Sequence, residues 1–244
     1  MKYFTKKREN NFLRYNHIIF DLDGTLYDEF DYFRSAFKKI SLMIVHDFPE
    51  FNEEEIYNDI VDDFTMKGSQ YKNFFNYLSH QYYGNDSKGK DFFEIYCSID
   101  ADIHLYSDFD HIIKFKESNL ITLSIITNGT IIAQKNKIKL LDLHKYFDFI
   151  CVARELGDDC EKPNSIGYKY ILDISHSKVS EVIYVGDNPH NDFQGAKKIG
   201  IATVRFLRGE FANIIINDDL VDHTVKNHEE LISIIVDNYC GLPS

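Results

Sequence analysis

Short apolar runs that alternate with helical segments constrain this chain more than any other feature. The runs lie at about 18–20, 121–126, 148–152, 181–185 and 201–206. Runs of this length, rich in Ile, Val and Phe, read as buried strands. From about His111 the order is helix, strand (121–126), helix (131–141), strand (148–152), helix (164–175), strand (181–185), helix (192–199) and strand (201–206), with Leu231–Val236 as a last helix. Such alternation predicts the α/β class, a Rossmann-like parallel sheet with helices on both faces. In open sheets of this kind ligands bind beyond the carboxyl ends of the strands.

Between Tyr27 and about Ile103 no strand pattern occurs. Phe30, Phe33, Phe37, Ile40 and Ile44 recur at helical spacing, as do Ile56, Ile60, Val61 and Phe64, and then Tyr71, Phe74, Phe75, Leu78 and Tyr82. Residues 90–99 extend the pattern, and Gly84–Gly89 reads as a loop. A block of helices is thus expected between the first and second strands, either as a lid or as an enlargement of the core. Its aromatic stripe reads as packing.

The strand ends carry the chemistry. Asp21 and Asp23 follow Phe20 one residue apart, and Gly24 breaks the strand. Residues i and i+2 share one side of a strand, and two adjacent carboxylates repel unless a cation or a proton sits between them. The pair suits a divalent-metal site, a nucleophile beside an acid/base, or a surface turn. Thr127, Asn128 and Gly129 end the run 121–126 and offer a hydroxyl, an amide and backbone N–H groups, or a helix cap. Pro163 suits the first turn of a helix, which places Lys162 at or just before the helix start, where the dipole disfavours a cation. An anionic partner would explain the lysine, and so would solvent. Asp187 follows the run 181–185 and Asp192 lies five residues on. Acidic groups gathered at strand ends require a shared metal.

The order Asp-x-Asp-Gly-Thr, Thr-Asn-Gly, Lys-Pro and Gly-Asp with a further Asp, each after an apolar strand, resembles the haloacid dehalogenase-like hydrolase superfamily. The likeness runs from about Ile18 to about Arg208 and is weak over 30–105. It implies a core of residues 1–26 and 108–244 with an inserted α-helical cap domain at 27–107. It further implies Asp21 as nucleophile and Asp23 as acid/base, with the Asp23 backbone carbonyl as a metal ligand. Thr127, Asn128, Gly129 and Lys162 would bind the phosphoryl group. Asp21, Asp187 and Asp192 would complete the Mg²⁺ site. The resemblance points to a phosphatase of a small phosphorylated metabolite acting through an aspartyl phosphate. Dehalogenases of the superfamily lack the second aspartate. A sugar-phosphate mutase, a phosphonate hydrolase, or a non-catalytic binding protein on the same fold are the alternative readings.

Composition sets the remaining bounds. A net charge of −12 argues against a nucleic-acid polymer as partner, while a phosphorylated ligand remains compatible once a cation neutralises the site. No apolar run approaches a membrane span. Cys97, Cys151, Cys160 and Cys240 lack paired metal spacing and read as free thiols of a cytoplasmic protein. Residues 1–10 are basic without a following apolar core, which reads as a frayed extension or a short leading strand rather than a secretory signal. Oligomeric state leaves no signature.

Overall fold

The computed structural model describes residues 13, 15–69, 71–216 and 218–237. The expected leading segment, residues 1–10, and Cys240 lie outside them. The strands are β1 (His17–Phe20), β2 (Thr122–Thr127), β3 (Phe149–Val152), β4 (Val182–Gly186), β5 (Ala202–Phe206) and β6 (His223–Val225). They form one all-parallel sheet in the order β3-β2-β1-β4-β5-β6. β6 was not expected from the sequence. It has three residues, of which Val225 alone is buried, so it carries too little apolar signal to stand out.

β1 is central, and every one of its side chains is buried. Because side chains alternate across a sheet, Ile18 and Phe20 join one apolar cluster and Ile19 another. The first cluster contains Ile112 of α5 (Phe109–Ser118), Ile138 of α6 (Ile131–Leu140) and Leu231 of α9 (His228–Asp237). The second contains Tyr168 and Ile171 of α7 (Ile166–Ser175) and Phe193 of α8 (Phe193–Lys198). Both faces are therefore covered. Each large apolar side chain buried this way contributes roughly 1.5–3 kcal/mol of transfer free energy. His17 is the polar exception in β1. Its ring nitrogens lie 2.6 Å from Ser124 Oγ and 2.8 Å from Ser177 Oγ, and burial lowers its pKa to about 4.

Four helices, α1 (Glu29–Asp47), α2 (Glu53–Lys67), α3 (Phe74–Tyr83) and α4 (Gly89–Ser98), are inserted between β1 and β2. They form a helical cap domain with its own apolar centre, including Phe33, Phe37, Ile60, Phe64, Leu78 and Phe92. Asp28 caps α1 by accepting the Phe30 N–H at 3.0 Å, and Asn52 caps α2. α3 starts at Phe74 rather than near residue 70, because Tyr71 and Lys72 lie in the turn before it. The chain leaves the sheet at Tyr27 and returns at Leu105, and these two residues face each other in an antiparallel bridge.

Among the described residues no helix is long and apolar enough to cross a membrane. Cys97, Cys151 and Cys160 are buried free thiols.

Candidate active site

The carboxyl edge of the central strands gathers the predicted polar residues. Asp21 prolongs β1, its N–H donating to Val185 O at 2.8 Å. β2 on one side ends in Thr127, and β4 on the other leads into Asp187. Asp192 is folded back from the following turn, where its Oδ2 accepts the Asn188 N–H at 2.8 Å. One oxygen from each of Asp21, Asp187 and Asp192 falls within 4.8 Å of the others, and all three residues are buried.

Lys162 enters this cluster from the turn before α7. That helix begins at Ile166 rather than 164, so Pro163 lies before its first turn and the lysine precedes it by four residues. Its Nζ contacts Asp21 Oδ1, lies 2.7 Å from Asp192 Oδ1 and donates to the Tyr184 hydroxyl at 3.0 Å. The Tyr184 hydroxyl in turn donates to Asp192 Oδ1 at 2.8 Å. Thr25 Oγ1 donates to Asp187 Oδ1 at 3.1 Å. Gly24, at φ +74°, passes so close to Asp187 that a Cβ there would stand 2.4 Å from Oδ2.

Three buried carboxylates thus gather beside one ammonium, which pairs with two of them. Burial, with the neighbouring Asp192 and Asp23 charges, pushes the Asp21 carboxyl up to about 8 despite Lys162. Burial, then Asp192 and Asp21, raises Asp187 well above the usual carboxylate range. Burial opposes charge on Lys162, but Asp192 and Asp21 outweigh it and keep the ammonium protonated. Surplus negative charge on an all-oxygen donor set fits a hard divalent cation.

Asp23 turns its carboxylate elsewhere. Oδ1 accepts from Lys137 Nζ at 2.7 Å and from the Tyr27 hydroxyl at 2.6 Å, and Oδ2 accepts from Gln134 Nε2 at 2.7 Å. Burial alone would raise its pKa, yet Lys137 and these hydrogen bonds bring it below the ordinary value. Lys137 is itself fully buried. It also reaches Glu29 at 3.3 Å and lies 4.9 Å from the Tyr32 ring centre and 5.6 Å from that of Tyr96.

Thr127 accepts from Gln134 Nε2 at 2.8 Å. The Asn128 side chain is engaged on both ends by the Lys162 backbone, donating to its carbonyl at 2.8 Å and accepting its N–H at 2.8 Å. The Gly129 N–H donates to Glu161 Oε1 at 2.7 Å, and Arg154 holds the other Glu161 oxygen at 2.6 Å. Asn128 and Gly129 therefore tie the β2 end to the Lys162 turn.

Gln134, Lys137, Glu29, Tyr27 and Tyr184 belong to the site and were not singled out from the sequence. A readable signal existed for two of them. Gln134 and Lys137 are three apart on the helix expected at 131–141, so they share one face. Nothing in the sequence told which partner that face meets.

A family model for haloacid dehalogenase-like hydrolases matches residues 18–206. The chain belongs to that family. This haloacid dehalogenase-like hydrolase is 30% identical over 225 residues to a glyceraldehyde 3-phosphate phosphatase of Methanocaldococcus jannaschii, covering 89% of this chain and 96% of the relative. It is 25% identical over 237 residues to the glyceraldehyde 3-phosphate phosphatase of Methanopyrus kandleri, covering 89% and 96%. Its fold superposes on a subfamily IA hydrolase of the superfamily from Geobacter sulfurreducens with a TM-score of 0.67, at 18% identity, covering 93% and 99%. Membership and relatives together make the hydrolase an enzyme of the phosphatase type.

Proposed function

We propose that this hydrolase is a Mg²⁺-dependent phosphatase that cleaves a small phosphorylated metabolite through an aspartyl-phosphate intermediate on Asp21. The observation that carries the reading is the buried Asp21–Lys162–Asp192 chain beside Asp187, with the carboxylate oxygens within 4.8 Å of one another. Asp21, Asp187, Asp192 and the Asp23 backbone carbonyl would hold the cation, which when bound supplies positive charge against the phosphoryl oxygens.

An Asp21 oxygen attacks phosphorus, the ester P–O bond breaks, and the leaving oxygen takes a proton from Asp23. Lys137 keeps Asp23 ionised in the free site, so Asp23 first receives that proton from the monoanionic phosphoryl group of the substrate. Asp23 then removes a proton from water, which attacks the acyl phosphate and frees Asp21 and inorganic phosphate. Lys162 stabilises charge on the transferring group and holds the nucleophile's carboxylate in place. Thr127 offers its hydroxyl to a phosphoryl oxygen. Asn128 and Gly129 act on the phosphate indirectly, by fixing the Lys162 turn. Residues 27–107 act as the cap over a core of 1–26 and 108–244. Buried thiols and the phosphorylated substrate fit a cytoplasmic setting. The relatives' names make glyceraldehyde 3-phosphate the first substrate to assay.

The test is hydrolysis of an aryl phosphate with and without Mg²⁺. Activity is expected to vanish with EDTA and to fall at least about a thousandfold in Asp21→Asn, while beryllium fluoride with Mg²⁺ raises the melting temperature of the wild type. Full activity in pure Asp21→Asn would overturn the mechanism.

A further inference from the structure

A cavity of about 340 Å³ opens beside the carboxylate cluster, between α1, α2 and the loop after β5. Gly24 and Asp187 line it, and Asp187 also belongs to the carboxylate cluster, so the remainder of a substrate whose phosphoryl group is held at Asp21 has this cavity beside it. The size is near the lower end of small-molecule sites, about 300–1,000 Å³. Phe30, Phe33 and Phe64 supply an apolar wall.

The charged lining is predominantly acidic. Asp28, Glu29 and Glu210 stand outside the cluster, and among the described lining residues Arg34 is the single cationic side chain. Arg34 is already engaged, with Nη1 2.6 Å from Asp31 and the guanidinium carbon 4.2 Å from the Phe30 ring centre. Glu29 is matched by Lys137 at 3.3 Å. Asp28 and Glu210 have no ion pair among the described residues. Each accepts backbone N–H groups instead, Asp28 from Phe30 at 3.0 Å and Glu210 from Ser69 at 3.3 Å. Backbone donors stabilise the ionised carboxylate without cancelling its charge.

We infer that this enzyme selects monophosphates whose remainder is short and uncharged, and discriminates against those that carry a second anion there. The inference rests on the phosphatase reading. The phosphoryl end meets Lys162 and the cation, whereas a carboxylate or second phosphate placed along the cavity meets Asp28 and Glu210. In a confined cleft that repulsion is weakly screened. A hydroxyl or aldehyde group meets no such opposition and can hydrogen-bond the same carboxylates.

The matched pair glycerol 3-phosphate and 3-phosphoglycerate tests this, because they differ only in a terminal CH₂OH against COO⁻. Each is assayed as a substrate, as a competitor of aryl phosphate hydrolysis, and by calorimetric binding in the presence of Mg²⁺. The neutral compound is expected to be favoured by at least about tenfold in kcat/KM or in affinity, with the ratio growing at low salt. Glu210→Gln keeps an acceptor for the Ser69 N–H, and Asp28→Asn keeps a helix cap; both are expected to narrow the ratio toward unity. Equal or better use of 3-phosphoglycerate, a ratio unmoved by both variants, or no binding of either compound at millimolar concentration would overturn the inference. Absence of any aryl phosphate hydrolysis would instead overturn the phosphatase reading, and the calorimetric ratio still decides the charge selection.

Discussion

Lys137 Nζ stands 2.7 Å from Asp23 Oδ1 and 3.3 Å from Glu29 Oε1, so one buried ammonium joins the second motif aspartate to the first cap helix. Its own burial would disfavour the charge, but Asp23 and its other anionic neighbours keep the lysine protonated. Lys137→Met leaves two carboxylates without their cation. A loss of about 3 kcal/mol at neutral pH is expected. Because the folded Asp23 pKa is depressed, the pairing stabilises above the ordinary carboxylate pKa of about 3.9 and is lost as pH falls through the folded value. The destabilisation is therefore expected to shrink toward pH 3, as denaturant melts at both pH values would show. In the same variant the limb of the pH–rate profile set by Asp23 is expected to move to higher pH. Limbs that stay in place while the rate merely scales down would make Lys137 structural only.

Asn128 exchanges two hydrogen bonds of 2.8 Å with the Lys162 backbone. Asn128→Ala strands a part-buried N–H and a part-buried carbonyl, at about 1 kcal/mol each, and frees the turn that carries the lysine. A drop in kcat of about a hundredfold, with KM changed far less, is expected from misplacement of the ammonium. A variant that loses stability but keeps its kcat would refute this positioning role.

Gly24 combines φ +74° with a backbone that Asp187 overhangs. Gly24→Ala would require both a strained conformation and a shift of the Asp187 carboxylate. The variant is expected to bind Mg²⁺ at least about tenfold more weakly and to melt lower. Isothermal titration with Mg²⁺ alone reads the first effect independently of turnover.

The folded Asp21 carboxyl titrates at about 8, against an ordinary value of about 3.9. In metal-free protein the folded chain keeps a proton that the unfolded chain releases across this interval, so stability falls as pH rises from about 4 to about 8. Under the proposed function Mg²⁺ would replace that proton. Its stabilising effect is expected to be larger at pH 8 than at pH 5, measured as the rise in melting temperature at fixed Mg²⁺. Equal shifts at both values would show that the carboxylates do not compete for protons and the cation.

Much of this was legible because periodicity is a local signal. The runs ending at Phe20, Thr127 and Gly186 stand out by their apolar, β-branched content, and each hands a polar residue to the same sheet edge. The cap helices were equally visible from Phe33, Phe37 and Ile40 or Ile56, Ile60 and Phe64. The Asp23 partners were not. A lysine and a glutamine on a helix ordinarily face water, and only the packing of α6 beneath α1 and α4 buries Lys137 between Tyr32 and Tyr96. The start of α7 was placed two residues early because Pro163 fits a first helical turn, whereas here it belongs to the turn before the helix. Tyr184 was hidden inside a strand whose burial reads as plain packing, although its hydroxyl completes the Lys162–Asp192 contact.

The bridge between Tyr27 and Leu105, with Tyr106 N–H donating to Leu26 O at 2.9 Å, brings both crossings of the chain to one doorway. Both covalent connections of the inserted helices pass through this one point, while Lys137 and Glu29 add a contact from α6 to α1. Because the chain leaves and re-enters at one place, a change in the length of the inserted segment need not disturb the register of β1 with β2.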